Sequence, residues 1–312
     1  MRITNQMISD ANTKYMLEGL ENVNRAQQRL NSQKLFDTPS EDPVAASFSL
    51  NLSSSLRSMK TFQEATAVVG EWMNGTDLAF QQMNDVSLRA TNLVLGGLND
   101  TIGAEERTTM AAELDSMITQ ALDIANSKHD GQYLFSGFRT DTQPFELIDH
   151  SQPPNLDPTY VDPDTGVALY EVRYNGDDGQ MQRSINVGQN VVQNVTGRDA
   201  FLGFIKRLVQ AREALRANDT TVLDDSLAGL KTTTSTMSSM QGASGSRWRQ
   251  VQSTSDFLVQ SAQETERLIS QNEDINLAEG ITELRKQESS YQVVMEVTSR
   301  AISAMTLFDY LR

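Results

Sequence analysis

Every seventh residue from 277 to 305 reads Leu277, Leu284, Tyr291, Thr298 and Met305, and the second heptad position carries Gln287, Val294, Ala301 and Phe308. Ile281, Met295 and Ile302 widen the stripe, and Leu311 follows it. A seven-residue repeat held this long requires a long helix whose apolar seam lies against another surface. An ordinary bundle helix would satisfy the spacing. If the chain folds back on itself, however, this last helix has one intramolecular neighbour, residues 6–34. That neighbour's stripe is Met16, Leu20, Val23, Gln27, Leu30 and Lys34, which is half polar. Taken alone it fits a heptad seam or a solvated amphipathic helix equally well. One thin partner cannot cover the terminal seam. Both ends are therefore expected to be poorly ordered in a free monomer and to order when further copies supply the missing walls.

Between the ends the pattern is helix, helix, helix, β insertion, helix, helix, helix. LFDTPSEDPVAAS (35–47) breaks the first helix, because Pro39 cannot sit inside one. Ser40 is the expected N-cap of the next helix, with Glu41 and Asp42 in its first turn and Pro43 tolerated there. That helix is expected over about 44–95, with soft points at Gly70 and Gly75, and another over about 104–128. Residues 130–195 hold five of the seven prolines. There, 168–174 and 180–187 alternate like strands flanking NGDDG (175–179), a hairpin signal. Residues 132–138 and 144–148 suggest a second strand pair. TGRD (196–199) reads as a capping box, and Phe201, Phe204, Leu208, Ala211 and Leu215 form one helical face. Further helices are expected over about 220–270, weakened at Gly242 and Gly245, and over 275–311. The fold class is mainly α: a long antiparallel bundle or coiled coil built from both chain ends, with a small β-rich outer domain inserted.

Composition fits this plan. Only 38% of the 312 residues are hydrophobic and 6% aromatic, which suits helices packed side by side better than one thick globule. The net charge of −15 opposes nucleic-acid binding. Residues 1–60 carry seven Lys/Arg against six Asp/Glu, so the acid is concentrated in the middle. Near-neutral ends are what close packing of identical segments requires, since like charges repel at short range. There is no cysteine, no apolar stretch of signal-peptide length at the start and none long enough to cross a membrane. The sequons at Asn51, Asn74, Asn99, Asn194 and Asn218 therefore carry no weight. His129 and His150 lie in no metal-ligand spacing, and no phosphate-binding glycine loop or nucleophile elbow occurs. DPDTG (162–166) begins like a calcium loop, but its twelfth position is Arg173, so a turn is expected. The adjacent acids Asp177/Asp178 and Asp224/Asp225 read as surface. No catalytic, cofactor or metal site is expected.

Four stretches carry a resemblance to a known family: MRIT at the start, LNSQKLFDTPSEDPVAAS (30–47) with its Ser40-Glu41-Asp42-Pro43 turn, DGQYLFSGFRTDTQPF (130–145), and EDINLAEGITELRKQESSYQ (273–292) with LFDYLR. Together they resemble the flagellin family, and within it the L-type hook-associated proteins of the hook–filament junction. Ile275-Asn276 departs from the Thr-Asp common there. The resemblance implies a structural subunit, not an enzyme, exported without a cleaved signal through the flagellar export apparatus. It implies a ring of identical copies, flanked by the other junction protein and by flagellin. Before export, a cytoplasmic chaperone would hold the C-terminal region. It further implies that residues 1–42 and 272–312 form an inner tube, 43–140 and 196–271 a helical bundle, and 141–195 the outer β domain. Filament flagellin is the close rival. A soluble helical signalling rod is the rival of another class, and it should lack a β insertion.

Overall fold

The computed structural model describes the backbone of residues 5–310 and the side chains of Met7 and residues 10–300. Its helices are α1 (Asn5–Ser32), α2 (Pro43–Gly97), α3 (Ala104–Ala125), α4 (Gly203–Ala217), α5 (Thr220–Glu273) and α6 (Leu277–Tyr310), with a π-helical turn at Arg198–Leu202 before α4. The strands are short: β1 (Lys128–His129), β2 (Gln132–Tyr133), β3 (Phe145–Asp149), β4 (Tyr170–Tyr174), β5 (Gln182–Asn186) and β6 (Gln189–Val192). The chain is mainly α, with long helices from both ends and a small β-rich insertion, as its periodicity indicates.

Neither Gly70 nor Gly75 interrupts α2, and α5 runs through Gly242 and Gly245. A helical glycine costs about 1 kcal/mol relative to alanine, too little to break a helix packed along its length. The start of α2 corrects the expected cap. Asp42, not Ser40, is the capping residue: its carboxylate accepts the amides of Val44 and Ala45 at 3.1 and 2.9 Å. Pro43 follows as the first helical residue, where its missing N–H costs nothing. Ser40 instead shares a 2.9 Å hydrogen bond with the Thr38 hydroxyl.

The chain divides into two compact units, residues 60–259 and residues 1–59 with 260–312. The first has a dense core. Phe80, Phe135 and Phe201 pack with ring centroids 4.7–6.2 Å apart, in edge-on and tilted contacts that aromatic quadrupoles favour. The expected face Phe201, Phe204, Leu208, Ala211 and Leu215 is wholly buried in it. A smaller cluster of Val69, Met73, Ile185, Val191 and Val251 seats the β5–β6 hairpin on α2 and α5.

Strand pairing differs from the expectation. β1 pairs with β2, β3 with β4 and β5 with β6, all antiparallel. Phe145 thus faces Tyr174, and residues 132–138 do not partner 144–148. NGDDG does not close a hairpin, because neither Asn175 nor Gly176 adopts positive φ. The left-handed turns lie elsewhere. Asp130 (φ 48°) and Gly131 (φ 78°) close β1–β2, and Gly188 (φ 72°) closes β5–β6. Asp177, from the misread turn, accepts the amides of Phe138 and Gly179, both at 2.8 Å. Those bonds, the Phe138 amide first, hold its carboxyl below the usual carboxylate range. DPDTG is a turn as expected: Asp162 accepts the amides of Asp164 and Thr165, and Lys206 bridges to Asp162 at 3.0 Å.

Candidate assembly interface

In the unit formed by residues 1–59 and 260–312, α1 and α6 pair antiparallel. Gly19 faces Tyr291 and Gly280 faces Leu30. A Cβ at Gly19 would stand 3.0 Å from the Tyr291 ring, and one at Gly280 would stand 2.9 Å from Leu30 and 2.8 Å from Ile275. Each glycine is a hole that admits a large side chain from the opposite helix. The heptad pattern identifies Tyr291 and Leu30 as seam residues but not their receiving glycines. The available signal was a glycine inside an otherwise helical run.

The base of the pair is tied by backbone bonds. The Leu35 amide donates to the Glu273 carbonyl at 2.6 Å, and the Ile275 amide donates to the Gln33 carbonyl at 2.9 Å. Lys34 and Asp274 face each other in this short antiparallel bridge. The Lys34 ammonium donates to Glu273 at 2.8 Å, which raises the Lys34 pKa above the ordinary lysine value. Asn276 caps α6 by accepting the Ala278 amide, so its side chain makes the first-turn contact. Glu41 of the turn takes Arg29 at 3.2 Å, and Asn272 donates to the Ala45 carbonyl and the Ser49 hydroxyl at 2.9 and 2.7 Å.

The pair leaves its apolar residues incompletely covered. Met16, Val23, Leu30, Leu284, Tyr291 and Val294 are half-buried, while Leu20, Leu277, Ile281 and Met295 are exposed. Ala301, Ile302, Met305, Phe308 and Leu311 lie outside the residues whose side chains are described. Ser40, Glu41 and Asp42 sit on an exposed turn, and Pro43, also exposed, opens α2. Tyr15, Leu17, Val44, Phe48, Leu50, Val293 and Val297 are also exposed, Val44 by 79%. They fall outside the heptad positions, so a search for a single stripe misses them. Among the described residues of this unit, the buried ones are Ala46, Ser49, Ala262, Thr265, Gly280 and Thr298. None is a large apolar residue. Fully burying one leucine-sized side chain contributes about 1.5–3 kcal/mol, and here that gain is largely unrealised. Among the described residues no acidic or histidine cluster could hold a metal ion, and no helix is long and apolar enough to cross a membrane.

The family model of the bacterial flagellin N-terminal helical region matches residues 3–140. Flagellar hook-associated protein 3 of Salmonella typhimurium is 22% identical over 235 residues, spanning 74% of this chain and 67% of that protein. The chain is thus similar to flagellar hook-associated protein 3 and, over residues 3–140, to the bacterial flagellin N-terminal helical region. Solved structures with these names share the fold. FlgL of Bacillus cereus superposes with a TM-score of 0.57 at 21% identity, covering 70% of this chain and 99% of the other. The flagellar junction protein FlgL of Legionella pneumophila gives 0.54 at 14% identity, covering 71% and 99%. The curated relatives are both flagellar hook-associated proteins by name. The matched stretch, residues 3–140, runs through α1, the 33–42 turn, α2, α3 and the Tyr133–Phe138 signature.

Proposed function

We propose that the protein is a structural subunit of the bacterial flagellum that joins hook to filament, assembling with further copies of itself through α1 and α6. One observation carries this reading: an α1–α6 pair with exposed apolar residues on both helices and, among the described residues, no large buried apolar side chain of its own. Such a surface is stable only against further helices of the same kind. In the assembled ring, residues 1–42 and 272–312 form the inner tube, 43–140 and 196–271 the surrounding bundle, and 141–195 the outer β domain. The subunit is extracellular, travels without a cleaved signal, and is held by an export chaperone at its C-terminal region beforehand. The second junction protein and flagellin are its neighbours along the axis. It is not an enzyme. Its work is to transmit torque, and the near-neutral ends favour adhesion while the acidic middle keeps unassembled subunits soluble.

Filament flagellin is disfavoured by the hook-associated relatives, and a signalling rod by the β-rich insertion. Electron microscopy of intact flagella carrying a tagged copy tests the reading. A single band at the hook–filament boundary is expected. Label along the whole filament would favour flagellin, and no label on flagella would refute the proposal.

A further inference from the structure

The bridge between residues 33–35 and 273–275 does more than join two turns. α1 stops at Ser32, and Gln33 turns out of the helix at φ 58°, a left-handed conformation uncommon for a non-glycine residue. Lys34 then lies opposite Asp274 with reciprocal amide-to-carbonyl bonds on either side, and α6 starts three residues later. Moving away from the bridge, Leu30 meets Gly280 and Gly19 meets Tyr291. The two glycine pairs are separated by 11 residues on both helices, so one register runs through both holes, and the bridge closes its end. A slip of one residue would shift the helices by about 1.5 Å and turn a face by about 100°. It would take Leu30 and Tyr291 off their glycines and split the exposed apolar residues between two directions.

We propose that this bridge is a clasp that sets the register of α1 against α6, so that both helices offer one continuous apolar face to a neighbouring copy. Leu35, Ile275, Lys34 and Glu273 are its positioning residues. The inference rests on the assembly reading and goes beyond it, because an apolar pair could adhere without a defined register.

Proline at position 35 removes the amide that donates to Glu273, and proline at 275 removes the reciprocal donor. Lys34 and Asp274, the residues before each proline, lie in the antiparallel bridge itself. In cells that rely on the variant, full-length Leu35→Pro or Ile275→Pro protein should be produced at normal levels with normal helix content. Its retention on purified flagella should fall up to about tenfold, the scale of one lost backbone hydrogen bond. A second series guards against misfolding: Lys34→Glu should lose retention by carboxylate repulsion, and the exchange Lys34→Glu/Glu273→Lys should restore it. Normal retention of the proline variants overturns the clasp, as does failure of the exchange to rescue. The same assay on a chain lacking residues 290–312 separates the two ideas. If that deletion is also retained normally, the assembly reading itself falls.

Discussion

At the residue scale the Tyr133–Phe138 signature explains itself through its contacts. Leu134, Phe135 and Ser136 are buried, and the Phe135 carbonyl accepts both the Gly197 amide at 3.0 Å and the Tyr174 hydroxyl at 2.8 Å. Gly137 has φ 71°, and a Cβ there would lie 2.2 Å from the Asp177 carbonyl oxygen. Gly137→Ala combines a left-handed backbone with a backbone clash. It should cost about 2–4 kcal/mol, read as a lower urea midpoint at unchanged m-value. Burial pushes the Tyr174 hydroxyl up to about 12. A raised folded value means that the fold favours the protonated phenol. Its contribution is complete below pH 10 and is lost as pH rises through about 12. Tyr174→Phe should therefore be less stable at neutral pH by about 1 kcal/mol yet lose less stability between pH 10 and 12, as measured by denaturant titrations at each pH. Little of this was legible in the sequence. Asp177 reads as a turn residue because the Asn-Gly signal beside it is local, whereas its amide partner Phe138 lies 39 positions away.

At the scale of elements, helices and strands divided sharply in legibility. Helix periodicity is written in neighbouring residues, so α1, α2, α3, α5 and α6 lie close to their expected bounds. Strand pairing is set by contacts distant in sequence. Phe145–Asp149 looks as compatible with 132–138 as with its true partner Tyr170–Tyr174, which lies beyond a loop of prolines and Asx turns. The positive φ angles that close a hairpin fall at Asp130-Gly131, not at Asn175-Gly176, although both dipeptides carry the same local signal. Of the stripe expected on α6, Leu284, Tyr291 and Val294 are half-buried against α1 while Leu277, Ile281 and Met295 are exposed. The glycines that receive the opposite side chains were not legible, because a hole has no hydropathy. Deleting residues 290–312 removes the latter part of α6 but nothing from residues 60–259. Swimming should be abolished while the protein stays soluble and helical by circular dichroism. Normal swimming of that strain would show that the terminal stripe is dispensable.

For the whole molecule, core and charge are distributed unevenly along the chain, and the two distributions agree. Residues 60–259 contain Phe80, Phe135, Phe145, Phe201 and Phe204 at essentially zero exposure and carry most of the net negative charge. In the unit of residues 1–59 and 260–312, the described large apolar side chains stay partly open. A self-sufficient domain would show a core in both. On the proposed assembly, other copies complete the second core, and ordering the ends before those arrive would cost more conformational entropy than the partial burial returns. Hydrogen exchange tests this most directly, measured on the free subunit and on the same protein in purified flagella. In the free subunit, amides of residues 1–42 and 272–312 should exchange rapidly while the core of residues 60–259 stays protected, and on flagella the end segments should become slow. Equal, strong protection of α1 and α6 in both samples would contradict the account.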